Sequence, residues 1–257
     1  MLSDPRAGAP VTKRGNRFVT GGCLTILTVL ILLLGATVSW LWYSSSHNRQ
    51  TTHENEEKAL AVLLSQANRT ADASGRALQA SGTTRADVLT GLIWKHTEAP
   101  VIRYDVAHGG FTALVEKAVE YETVGFYGAR TARTVRCLAF TYTPGRGGTW
   151  TSQVTAKGFD TCRASNEIRN VAREARTHLA RMPGEALTAG RIQQELDPAG
   201  RPDLLTVHGV TREGRTVSVS ATISSWDGTV NQCYRLTRPI SGSKAENSTI
   251  AAPAASC

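Results

Sequence analysis

Several kinds of chemistry are missing from this sequence. Its six histidines (47, 53, 96, 108, 178 and 208) stand apart. No Cys-x-x-Cys or His-x-x-x-His spacing occurs, and His53-Glu54 lacks the second His of a zinc-protease helix, so no metal site is expected. The glycine-rich phosphate loop, the dinucleotide fingerprint and the Gly-x-Ser-x-Gly nucleophile elbow are also absent, and no cofactor is expected. Ser241-Gly242-Ser243-Lys244 spells the S-x-x-K of penicillin-binding proteins, without their SDN and KTG partners and in a stretch of Ser, Ala, Gly and Pro. That nucleophile has to begin a buried helix for the Lys to take its proton, so the match reads as chance.

Lysine is scarce, at six of 29 basic residues, and no long basic block interrupts the chain. The net charge is +8, and the excess is dispersed rather than gathered into the stripe that binds nucleic acid, so no nucleic-acid partner is expected. Dispersed positive charge favours anionic surfaces in general: lipid headgroups, or acidic polymers of a cell envelope. A composition rich in Ala, Arg, Gly and Thr resembles that of proteins encoded by GC-rich bacterial genomes.

Charge of either sign is missing from 19–46, where residues 23–43 read CLTILTVLILLLGATVSWLWY. At about 1.5 Å per residue this stretch spans a hydrocarbon core of about 30 Å. Trp40, Trp42 and Tyr43 close it with rings suited to the lipid–water boundary. Arg6, Lys13, Arg14 and Arg17 precede it against Asp4 alone, and Arg14 and Arg17 stand nearest the membrane. By the positive-inside rule the N-terminus lies in the cytoplasm and everything after the run is exported, the arrangement of a single-pass signal-anchor. A cleaved secretory signal is the competing reading, but its apolar region would be shorter, at about 7–15 residues. Cys23 precedes the apolar run, where a lipidated Cys would follow it. The absence of any acidic residue in the run excludes a pilin-type helix.

Beyond the membrane the apolar spacing alternates between helical and strand periods. Acidic residues open a helical stalk at 54–81, and a second helix over 84–97 ends at Pro100. Strands are expected at 101–106, 134–143 and 150–156, with 111–123 readable as helix or strand because Lys117 breaks the alternation. An amphipathic helix follows at 165–182, capped by Ser165 and stopped by Pro183-Gly184, then a shorter one at 185–196 and a turn at 197–200. Strands at 204–211, 215–226 and 229–237 are joined by Glu213-Gly214 and Asp227-Gly228, pairs suited to tight hairpins. The fold class is therefore α+β: one transmembrane helix, then an exported domain of amphipathic helices on antiparallel meanders. The segments expected are a basic N-terminus (1–22), the membrane helix (23–43), the stalk (44–83), two α+β units (84–162 and 163–239) and a Ser/Ala/Pro-rich tail (240–257).

The two α+β units share an order of features. Cys137 and Cys162 are 25 residues apart, Cys233 and Cys257 24 apart, and each spacing follows a Thr-Val at the head of a strand. This suggests two copies of a helix–three-strand unit. In an oxidising compartment four Cys allow three connectivities. Cys137–Cys162 and Cys233–Cys257 are favoured because neighbouring strands would bring the first pair together and the second would tie down the tail; the alternative leaves one or both pairs reduced, or Cys257 free. Asn68-Arg69-Thr70 and Asn247-Ser248-Thr249 match the glycosylation pattern, which matters only in a eukaryotic source.

The leading functional expectation is a non-enzymatic module that binds, senses or scaffolds in the cell envelope, with the lipid bilayer and anionic envelope polymers or another membrane protein as partners. The second is an envelope hydrolase or transferase whose site is assembled only by the fold, with Tyr104, Asp105, His108 and Glu120 as first candidates. A third is an accessory subunit of a membrane complex, with small residues Gly35, Ala36 and Ser39 as the helix contact.

Overall fold

A computed structural model describes residues 17–125, 128–183, 186–196, 204–240 and 248–257, with side chains from 25 onward. The basic N-terminus through residue 16, Gly184, the turn at 197–200, the S-x-x-K tetrapeptide and Asn247 lie outside the described residues. The chain divides into two compact units, one of 1–55 with 122–131 and the other of 56–121 with 132–257.

Helix α1 covers Arg17–Ser81, taking in both the apolar run and the stalk. In the first unit its residues from Ile26 to Tyr43 expose their large apolar side chains. Farther along, Asn55 Nδ2 donates to Glu122 O and Thr52 Oγ1 accepts from Val124 N, both at 3.0 Å, so the end of a hairpin is held along this part of the helix.

The chain forms two meanders of four strands each, all within the second unit except the tip of one hairpin at 122–131. The first comprises β1 (Val101–Asp105), β2 (Gly110–Gly125), β3 (Gly128–Pro144) and β4 (Trp150–Lys157), hydrogen-bonded in chain order. The second comprises β5 (Leu205–Glu213), β6 (Thr216–Ser224), β7 (Asn231–Pro239) and β8 (Ile250–Ala254), also in chain order. Each meander follows two helices: the latter part of α1 with α2 (Ala86–Thr97), then α3 (Phe159–Arg181) with α4 (Ala189–Leu196). The order shared by the two halves, called copies below, is therefore helix–helix–four strands, one strand longer in each than the sequence spacing suggests.

The extra strand of the second copy is β8. Its Ala and Pro residues carry little strand signal, but they lie at the sheet edge, where a missing amide costs no ladder bond. Pro253 stands opposite Tyr234 and Ala254 opposite Cys233. In the first copy the ambiguous 111–123 segment is strand: Phe111, Ala113 and Val115 alternate into the core, and Lys117 reaches Glu98 at 3.7 Å. Helix α3 starts six residues before the expected cap. Ser165 is buried inside it and its Oγ donates back to Cys162 O, so it caps nothing; Gly158 holds the N-cap position. Helix α4 begins at Ala189 rather than at 185.

Each copy has its own core. Ala67, Ala71 and Leu78 of α1 and Ile93 of α2 pack on Ile102, Phe111, Leu138 and Phe140. In the second copy Ile168, Val171, Ala175 and Leu179 of α3 meet Val217, Val219, Ala221 and Ile223 of β6, the strict alternation visible in the sequence. The hairpin turns at Gly214 and Gly228 have φ of +58° and +68°, a conformation glycine adopts without steric cost. Between the copies, Ile102 N donates to Gln232 Oε1 at 2.8 Å, Tyr234 Oη to Pro100 O at 2.7 Å, and Ala255 N to Asp87 Oδ1 at 2.9 Å.

Candidate functional site

Among the described residues one helix is long and apolar enough to cross a membrane, and none of its apolar window is buried. Trp40, Trp42 and Tyr43 are exposed on it, and the Tyr43 ring stacks on His47 with centroids 6.3 Å apart. Arg14 lies outside the described residues, and Arg17 is described only as the first residue of α1.

The cysteines meet in two pairs, Cys137 with Cys162 and Cys233 with Cys257, with Cα atoms 5.5 and 5.4 Å apart. Each bond runs from the third strand of a meander to a residue just past its fourth strand. In the first copy that residue is in the opening turn of α3, so the bond also ties the two copies together. Disulfides of this kind belong to an oxidising compartment.

The candidates for a fold-assembled catalytic site resolve into turn chemistry. Asp105 Oδ1 accepts from Ala107 N and His108 N, and Asp105 Oδ2 meets His108 Nδ1 at 2.7 Å. The His108 bond is the main cause holding the Asp105 carboxyl below the usual carboxylate range. All of these contacts lie within four residues, at the exposed β1–β2 turn. Tyr104 packs its ring on Phe111, and Glu120 is exposed on β2; neither joins the pair. Among the described residues no group of three or more His, Cys, Asp and Glu side chains is placed to hold a metal ion.

Two concave surfaces among the described residues bear on binding. One, of about 630 Å³, opens in the first copy between Leu78 and Leu89 of the helices, Tyr104, Trp150 and the Gly145–Gly148 turn. Its walls are mostly apolar, and the backbone at Gly147 and Gly148 has positive φ, which leaves the rim without side chains. The other, of about 460 Å³, lies where the copies meet, between Trp94, Glu98 and Pro100 of the first and Arg169, Arg173, Arg176 and Tyr234 of the second. Arg169 is half-buried and Arg173 and Arg176 are exposed. Tyr234 is buried, and burial raises its hydroxyl well above the usual tyrosine range, against the nearby Arg169 charge.

The arginine groove escaped the sequence reading, although one signal was present. Arg169, Arg173 and Arg176 follow the i, i+4, i+7 spacing of one helix face, beside the apolar stripe that identified α3. What the spacing could not show is that Trp94, Glu98 and Pro100, some 70 residues earlier, would form the opposite wall.

No family model matches the chain, and no curated protein matches it. A solved structure described as "Ntf2 like protein involved in plasmid conjugation" is similar at 11% identity, covering 61% of this chain and 75% of that one with a TM-score of 0.16. A likeness at that score carries no argument.

Proposed function

We propose that this chain is a single-pass signal-anchor protein of a bacterial cell envelope, its N-terminus cytoplasmic and its double α+β domain outside the membrane, working as a binding module rather than a catalyst. One observation carries the reading: an exposed apolar helix with aromatic rings at its far end stands on the same chain as a domain closed by two disulfides. The lipid bilayer is then the solvent of 23–43, and the partners outside are anionic envelope polymers or another membrane protein. The cleft at the junction of the copies and the glycine-rimmed cavity of the first copy are the surfaces such a module offers.

Membrane extraction tests this. The full chain should stay with the membrane pellet at alkaline pH, and its purified form should retain the residues before 47. A version beginning at residue 47 behind a cleavable signal should leave the pellet. Release of the full chain, or an N-terminus found just after Ser44-Ser45-Ser46, would overturn the anchor and restore the cleaved signal.

A further inference from the structure

We propose that the arginine groove at the junction of the two copies binds a linear phosphodiester-linked polymer, a chain of polyol or sugar phosphates. The proposal rests on the reading above, because it takes the groove to face the envelope.

Charge arrangement carries it. At 3.6 residues per turn, Arg169, Arg173 and Arg176 fall within about 60° of one another on α3 and spread over about 10 Å of its axis. None of the three has a carboxylate partner among the described residues. Of the three acids of α3, Asp160 stands in the first turn, away from the arginine row, Glu167 meets Arg163 at 3.5 Å and Trp226 N, and Glu174 meets His178 at 3.9 Å. Glu98 on the opposite wall meets Lys117 at 3.7 Å, so the carboxylate lining the groove has its own counter-ion. Three uncompensated guanidinium groups therefore face one cleft.

The shape selects the kind of anion. A single phosphate is held where donors converge on a point, and here the donors lie in a row, as successive charges along a chain require. Guanidinium forks suit phosphate oxygens two at a time, and weak hydration makes Arg better than Lys for the purpose. Nucleic acid fits less well, since single strands are held by stacking bases on open aromatic faces. Tyr234 is buried with its hydroxyl committed to Pro100 O, leaving Trp94 as a single half-exposed ring in the lining. One partly open indole suits the CH faces of a polyol or sugar.

The test uses the full chain in detergent micelles and a fluorescein-labelled glycerol-phosphate oligomer of about ten units, read by anisotropy at about 50 and 200 mM salt. Saturable binding that weakens with salt is expected, falling about tenfold or more in R169Q/R173Q/R176Q. Arg173→Gln alone, at an exposed position that the fold does not need, should give a smaller loss in the same direction. Arg146→Gln, on the turn after β3, is the matched control and should change nothing. Equal binding by the triple variant, or no saturable binding, would overturn the proposal. So would tighter binding of poly-glutamate or of an oligonucleotide at matched charge, which would assign the groove to a protein or a nucleic acid. Competition by inorganic phosphate at equal phosphate concentration would reduce it to a point-anion site and also overturn it. Binding in micelles is indifferent to which side of the membrane the groove faces. A chain that binds but is not exported would therefore sink the envelope reading alone, and one that is exported but does not bind would sink only this proposal.

Discussion

The two α+β copies place the same strand against the same helix and solve the contact differently. Five residues after its Cys, the third strand of the first copy carries Tyr142 and that of the second carries Arg238; both are buried. Tyr142 points its hydroxyl into the fold near Ser74 of α1, finds no hydrogen-bond partner among the described residues, and is pushed up to about 12 by burial, with Ser74 opposing. Arg238 donates to Leu179 O, which also accepts from Met182 N at 3.4 Å, and to Met182 O, at the C-terminal end of α3. Burial lowers its pKa, and its Nε has no partner among the described residues. The first copy thus tolerates an orphaned hydroxyl, and the second spends a buried cation as a helix cap. The copies also differ in reach: β2 and β3 are 16 and 17 residues long, and β6 and β7 nine each. A shared scaffold fixes where side chains meet and leaves open what they do there.

The disulfides test how far the copies are equivalent, and they should give the largest effects. Loops of nearly equal length, 25 and 24 residues, predict nearly equal loop-closure terms, so replacing either Cys pair with Ala should cost about 3 kcal/mol. Denaturant unfolding of the two double variants measures this. A gap between them above about 1 kcal/mol would mean that docking of β8, or the tie between copies, outweighs chain entropy. Next is Arg238→Met, expected to cost about 2 kcal/mol because it takes the guanidinium from Met182 O and leaves Leu179 O with the longer Met182 N bond alone, in the second copy only. Tyr142→Phe is smaller and opposite in character. Removing a hydroxyl with no partner should leave stability unchanged or raise it by up to about 1 kcal/mol, read by the same unfolding assay.

The smallest expected effect is one of pH. Asp227 sits in the β6–β7 turn, accepting from Ser225 Oγ, Thr229 N and Thr229 Oγ1, and these bonds, Ser225 first, hold its carboxyl down at about 2. A folded-state value below the ordinary 3.8 means that the turn's contribution is whole above pH 3.8 and is lost as pH falls toward 2. Asp227→Asn should flatten that part of the acid-unfolding curve and leave the neutral range nearly unmoved.

Much of the second copy was legible because its signals are local. The alternation of Val217, Val219, Ala221 and Ile223, the Glu213-Gly214 and Asp227-Gly228 turns and the apolar face of α3 each lie within one element. Segments that needed a distant partner were harder to read. Lys117 spoils the pattern of β2 until Glu98, on another element, is seen to receive it. The opening turns of α3 carry Asp160 and Cys162 in place of periodic apolar residues, and Cys162 is buried by its bond to β3. β8 is specified by the edge of β7 rather than by its own Ala and Pro. The arginine groove is the extreme case, with walls separated by 140 residues between Trp94 and Tyr234.

Paired cysteines on the oxidising side of a membrane are what a binding module of the envelope requires above all. Intact cells treated with a membrane-impermeant maleimide, before and after reduction, followed by peptide mass mapping, test this directly. Modification of Cys137, Cys162, Cys233 and Cys257 only after reduction is the predicted result. Modification that requires lysis of the cells, with reduction making no difference, would contradict it and place the domain in the cytoplasm.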